Sequence, residues 1–357
     1  MISYKNQDLF YLSGRLAVVL GGSKICRWSS LPPDIIHLIS TKLPDLSDRV
    51  RVRAVCKTWH SSVSVSDPSP RLPWFLSERV NWDDEILYYS LSSKQTYKIH
   101  CQKQILANFL GTAGSFIFCC QDGYPESVAL LNPLNGLEIS LPAPKDFEVL
   151  GVVSNPLQDD IVAVSGSETF TYGIWMAFMR PGEEDWEILS WNIHYKQGVC
   201  LYHEGLSYIN EYGEDTLIED AMTRELVASI PSPKSFHLSS QHLLEACGEI
   251  LLIFKNNASD RLQDFGFEIY QLEEASGNYQ WVKIRSIGNQ VLFLNYIGGF
   301  SVRDSKLPGF KGNCIYFQDY DSMSNRVLCW HDLENGTTEA LPNFWGGRGT
   351  WIIPNLG

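Results

Sequence analysis

The chain has 357 residues, 44% of them hydrophobic and 19% charged, a balance that excludes a mostly disordered protein. Its formal net charge of −13 makes a phosphate backbone a repelled partner, so nucleic-acid binding is excluded as a first reading. None of the nine cysteines falls in a CxxC pair and no run approaches the roughly 18 apolar residues of a spanning helix. A zinc site, a secreted disulfide framework and a membrane segment are therefore not expected.

The charge is uneven. Residues 1–66 carry nine Lys/Arg against four Asp/Glu, and the remainder carries 19 against 37. A small basic head thus precedes a large acidic body. Leu16–Leu20 is too short for a secretory h-region, so reduced, mostly buried thiols in a cytoplasmic or nuclear protein are expected.

Residues 1–27 show no clear period and form an N-terminal extension. From Leu31 to Leu43 the apolar residues Ile35, Ile36, Leu38, Ile39 and Leu43 share one helical face, opened by Pro32-Pro33 and stopped by Pro44. Ser47 to Val63 is ambiguous. Arg49-Val50-Arg51-Val52-Arg53 alternates like a strand, but Val50, Ala54, Val55, Thr58 and Trp59 fit a longer helical stripe, which is preferred. The head spans 28–66, and the Pro-rich stretch 67–73 is the linker.

Beyond Trp74 short β-branched and aromatic runs alternate with turn signals. The clearest unit is Val128–Leu131, a turn through Asn132-Pro133 and Asn135-Gly136, then Leu137, Ile139 and Leu141. Looser copies lie at Tyr88–Ile99, Ala177–Leu189, Leu217–Ile230, Ile269–Ile284 and Val327–Leu341, with space for a seventh near Val291–Val302. Gln241–Ala246 is the best helical stretch in this region. The spacing of roughly 40 to 60 residues predicts an all-β propeller of six or seven blades over 74–356, with a pair of β-sandwiches as the alternative.

The run Trp28-Ser-Ser-Leu31-Pro32-Pro-Asp34-Ile35-Ile36, followed by Ile39, Leu43 and Arg53-Ala-Val55-Cys56-Lys57-Thr-Trp59, resembles an F-box. This is the small all-α, three-helix module by which substrate receptors dock onto the Skp-type adaptor of SCF ubiquitin ligases. The body resembles the KIB-type β-propeller of plant F-box proteins. Leu130-Leu-Asn-Pro-Leu-Asn-Gly136, Leu141-Pro142, Arg180-Pro-Gly-Glu-Glu-Asp-Trp186, Gly248-Glu-Ile-Leu-Leu252, Asn313-Cys-Ile-Tyr-Phe317 and Trp351-Ile-Ile-Pro354 carry that likeness, in the family's order.

The resemblance implies a substrate-recognition subunit of an SCF-type E3 ligase. It assigns Leu31, Pro32, Ile35, Ile36, Ile39, Leu43, Val55, Cys56, Lys57 and Trp59 to the Skp-type adaptor, and through it to cullin. A target protein would sit on the propeller. The physical alternative is that Leu31, Ile36, Ile39, Val55 and Trp59 pack internally or on the propeller. Arg49, Arg51, Arg53 and Lys57 could steer an acidic adaptor or stand as solvated helix charges. The functional alternative is a non-enzymatic propeller interaction protein acting outside a ligase.

No motif for catalysis stands out, so no catalytic residue, cofactor or metal is expected. Asp319, Asp321 and Asn325 echo a calcium loop, but the glycine is missing and Trp330 occupies the closing position. Glu183-Glu-Asp185 and the acidic residues from Glu211 to Asp220 are expected at exposed hairpin ends, where they could also select a basic target. Trp175, Trp186, Trp281, Trp330 and Trp351 are expected to wedge sheets together, with Trp351 closing the ring against Trp74–Leu76.

Overall fold

The computed structural model describes residues 28–43, 45–64, 72–77, 85–100, 109–113, 115–120, 128–142, 147–152, 162–168, 174–180, 183–190, 198–211, 214–233, 240–257, 265–295, 298–307, 309–321 and 325–354. The extension 1–27 and most of the linker lie outside them.

A 3-10 turn at Trp28–Ser30 leads into α1 (Pro33–Thr41), with proline at its first position and Asp34 in its first turn. The expected single helix from Ser47 to Val63 is two helices, α2 (Leu46–Ala54) and α3 (Lys57–Ser62). Cys56 is extended and breaks them. Asp45, not Ser47, caps α2, its Oδ1 accepting from the Ser47 amide at 2.8 Å. Ile36, Trp59 and Val63 form the small core where the helices meet.

The strands follow in chain order. The first sheet holds β1 (Trp74–Ser77), β2 (Glu85–Ser90) and β3 (Gln95–His100). The second is β4 (Phe109–Ala113), β5 (Phe116–Cys120), β6 (Val128–Leu131) and β7 (Glu138–Leu141). The third is β8 (Phe147–Val152), β9 (Val162–Glu168), β10 (Ile174–Met179) and β11 (Glu187–Ser190). The fourth is β12 (Gly198–His203), β13 (Leu206–Glu211), β14 (Thr216–Asp220) and β15 (Leu226–Ile230). The fifth is β16 (Ser240–Ala246), β17 (Glu249–Asn257), β18 (Phe265–Ala275) and β19 (Asn278–Ile284). A last sheet holds β20 (Gln290–Leu294), β21 (Gly299–Arg303), β22 (Cys314–Tyr320), β23 (Arg326–Asp332) and β24 (Thr337–Ala340). Finally β25 (Gly349–Ile352) returns to the first sheet beside β1.

This corrects the expected six or seven blades. Five sheets are regular four-stranded antiparallel blades; the last departs from that plan, with five strands and β20 running parallel to β22. The suspected seventh copy, Val291–Val302, is the β20–β21 hairpin inside this mixed sheet. The reason is burial. Val291, Leu292, Phe293 and Leu294 are all buried, the odd pair in the cluster shared with the first sheet and the even pair in the cluster shared with the fifth. A strand covered on both faces belongs between sheets.

Gln241–Ala246 is also corrected: it is most of β16, pairing with β17. Its helix-forming composition yields to burial from Gln241 to Leu244. Three of the six hairpins expected from sequence share one turn. Asn132, Asp220 and Asp332 each accept the amides two and three residues on, and Gly136, Arg224 and Gly336, four residues on, are left-handed. Apolar side chains between adjacent sheets make the core, for example Trp74, Tyr88 and Ile99 against Ile117 and Leu131.

Candidate functional site

The head is fastened to the first sheet on one side. Asp45 is buried, and its second carboxylate oxygen accepts from the hydroxyls of Ser90 and of Ser92, the latter at 2.6 Å. Leu46 enters the core between the first and second sheets. The Arg51 guanidinium sits 5.7 Å from the centroid of the Tyr97 ring and pairs with Asp48 at 2.7 Å.

The arginines, read from sequence either as steering an acidic adaptor or as solvated helix charges, are mostly engaged within the chain. Arg49 is buried and donates to the Ser64 carbonyl at 3.0 Å. Arg53 reaches the carbonyls of His60 and Val63. Lys57 stays exposed. Thus three of the four cations brace the head, and their charge is tied to its geometry.

The ten sequence-assigned residues divide by burial. Ile36 and Trp59 are core, with Leu31 and Cys56 half-buried against them. Ile39 and Leu43 are half-buried; Pro32, Ile35, Val55 and Lys57 are exposed. The Pro32 carbonyl accepts from the Ile35 and Ile36 amides at 3.1 and 3.2 Å, so Leu-Pro sets the start of α1. Two apolar residues outside the assigned set are also exposed. Trp28 and Leu38, at 43% and 54%, join Ile35 at 43% and Val55 at 48%. Trp28 is held by an edge-on contact with Trp59 at 6.5 Å, and its carbonyl accepts from the Trp59 indole at 3.2 Å. A module this small that exposes four large apolar side chains beside a satisfied core has the composition of a recognition surface.

In the propeller the tryptophans bridge sheets. Trp186 donates at 2.5 Å to the carbonyl of Pro142, just after the last strand of the second sheet, and Trp281 to Thr216 of the fourth at 2.9 Å. Trp330 packs in the cluster between the mixed and first sheets, and Trp351 is fully buried. The Trp175 side chain lies outside the described residues. Asp319 pairs with Lys255, and both Asp321 oxygens accept from Asn325, so these carboxylates of the calcium-loop echo are engaged by the protein's own donors. Among the described residues, no group of three or more His, Cys, Asp or Glu could hold a metal ion. Burial pushes the Cys314 thiol up to about 11, with Asp332 adding to the shift and Lys311 opposing it. His203 and Glu204 lie 3.9 Å apart at the turn between β12 and β13, where Glu204 is exposed. The acidic Glu183, Glu184, Asp185, Glu214 and Asp215 are exposed.

Fold and head together define a class: a short helical head braced on a β-propeller. The chain belongs to the KIB1-4 β-propeller family, whose model matches residues 88–337, and the F-box-like model matches residues 28–67. A putative F-box protein of Arabidopsis thaliana is 20% identical over 87% of this chain and 92% of its own length. An F-box/kelch-repeat protein of the same plant is 24% identical over 89% and 91%. F-box protein SKIP23, also from Arabidopsis thaliana, is 21% identical over 88% and 91%. The chain is similar to each of these proteins over 87–89% of its length.

Proposed function

We propose that the chain is a substrate-recognition subunit of an SCF-type E3 ubiquitin ligase. The head docks on a Skp-type adaptor, which recruits cullin, and the propeller holds a target protein. The chain itself catalyses nothing; it raises the concentration of the target near the ubiquitin-loaded enzyme. It acts in the cytoplasm, the nucleus or both.

The observation that carries this reading is the division of the head. Its core residues Ile36, Trp59 and Val63 are buried, its Asp45 side is anchored to the first sheet, and Trp28, Ile35, Leu38 and Val55 remain exposed. An apolar surface on a rigidly held module suits a protein partner better than solvent.

Co-purification tests it. Wild type is expected to bring down adaptor and cullin, and a Leu38→Asp/Val55→Asp variant neither, with an unchanged melting curve. Both substituted residues are exposed, so their effect on stability stays within about 0.5 kcal/mol. Wild type that folds yet recruits neither partner overturns the ligase reading.

A further inference from the structure

At one end of the ring β16 and β25 begin and β17, β20 and β22 end. A cavity of about 440 Å³ opens there. That is the size of a side-chain or small-ligand site. Its apolar wall includes Phe75, Leu294 and Phe317. Among the described residues its charged lining is Lys255, Arg326, Arg348 and Asp319, three cations against one carboxylate, in a chain whose net charge is −13.

Two of these cations are held in place by the fold. Lys255 is nearly buried, pairs with Asp319 and lies 4.8 Å from the Phe317 ring centroid. The Arg326 guanidinium lies 4.8 Å from the Tyr320 ring centroid. Held this way, cations lose little freedom when a guest arrives. His242 adds no charge at neutral pH: burial lowers its pKa, the Gly298 carbonyl opposes this in part, Lys255 reinforces it, and the result is about 4. A cationic concavity with apolar walls focuses field lines on an anion, and guanidinium groups match the planar oxygens of carboxylate and phosphate.

We propose that this cavity binds an anionic side chain presented by the target protein on a peptide segment. The sign is opposite to what the exposed acidic hairpin ends would select. That the guest is a ligase target rests on the substrate-receptor reading; the preference for an anion rests on the cavity alone. Carboxylate and phosphate share the required chemistry.

The test uses the purified full chain without adaptor. Fluorescence anisotropy follows three fluorescein-labelled peptides: six glutamates, a glycine-serine peptide with one phosphoserine, and six lysines. At least one anionic peptide is expected to bind more tightly than the lysine peptide, against the repulsion of the overall charge. Binding by the glutamate peptide identifies a carboxylate guest, and by the phosphoserine peptide a phosphate guest. Arg326→Gln and Arg348→Gln should each weaken it by about tenfold or more with an unchanged melting curve, and Arg326→Lys by less. The proposal is overturned if neither anionic peptide outbinds the lysine peptide, or if folded Gln variants bind as wild type does. Peptide binding by a chain that recruits no adaptor supports the cavity and counts against the ligase reading alone.

Discussion

Phe75 and Trp351 face each other across the seam that joins the two ends of the propeller. They are register partners in β1 and β25, and their ring centroids lie 5.1 Å apart, edge to face. Trp351 also meets Phe293 at 5.2 Å and Tyr316 at 6.0 Å, so one indole ties the first sheet to the mixed sheet.

Trp351→Ala should therefore lower stability by about 3–5 kcal/mol, the range for truncating a fully buried tryptophan. Removing residues 350–357 takes away most of the closing strand and should abolish the cooperative transition. Urea unfolding reads both. A midpoint that does not move in either variant contradicts closure by β25.

The same seam demands close backbone approach at Gly349. A Cβ there would strike the Leu76 carbonyl oxygen and stand 2.6 Å from Phe75 Cε1 and 2.8 Å from Ser77 Cα. Backbone on the opposing strand cannot swing aside as a flexible side chain can. Gly349→Ala is expected to cost about 1–3 kcal/mol. Gly266→Ala, where the new atom meets nothing within 4 Å, serves as the control. Equal unfolding midpoints for the two variants would show that the seam yields without strain.

Much of this architecture was legible in the sequence because its signals are local. Asn132 and Asp332 each stand four residues before a glycine between alternating strands, and both outer hairpins are where that pattern puts them. What failed depends on distant neighbours. Val291–Val302 reads as room for one more blade until sheets cover both faces of Val291–Leu294. Gln241–Ala246 reads as helix until β17 pairs with it. In the head, periodicity found the helical face but not its division. Ile36 and Leu38 belong to the same stripe, yet Ile36 is fully buried and Leu38 is 54% exposed. The sequence leaves the arginines open between partner steering and solvation because nothing local marks Ser64 or Val63 as their acceptors. Nothing in the local sequence singles out Asp45; only the fold brings Ser90 and Ser92 to it.

Asp45 gives a sharp test of how the head is held. Its carboxylate caps α2 and accepts two hydroxyls from the first sheet while almost fully buried. Asp45→Ala removes the acceptor of the Ser47 amide and of the two hydroxyls, one of which can still donate to the other at 3.0 Å, at a cost of about 1–3 kcal/mol. The loss should fall on the junction. Limited proteolysis between head and propeller should speed up, while Ile36→Ala acts on the head core alone. Indistinguishable digestion rates for Asp45→Ala and wild type would mean that Leu46 and Arg51 suffice to hold the head.

His242 predicts an acid-side loss of stability. The ring is buried, its Nδ1 lies 3.3 Å from the Gly298 carbonyl oxygen, and it stands near the Lys255 ammonium. Burial first, and Lys255 after it, hold its folded pKa near 4 against an ordinary 6.5, with the carbonyl opposing. The unfolded chain therefore takes up a proton through 6.5 while the folded chain resists until about 4. Stability contributed by this group is level above 6.5 and falls as the pH drops from 6.5 towards 4, by up to about 3 kcal/mol. Urea unfolding of wild type and His242→Phe at pH 7 and 4.5 isolates the effect, because the other titrating groups cancel in the difference. Wild type should lose about 2–3 kcal/mol more than the variant over that interval. Parallel losses in the two proteins would show that the imidazole accepts its proton inside the fold without penalty, and that the walls around His242 admit water.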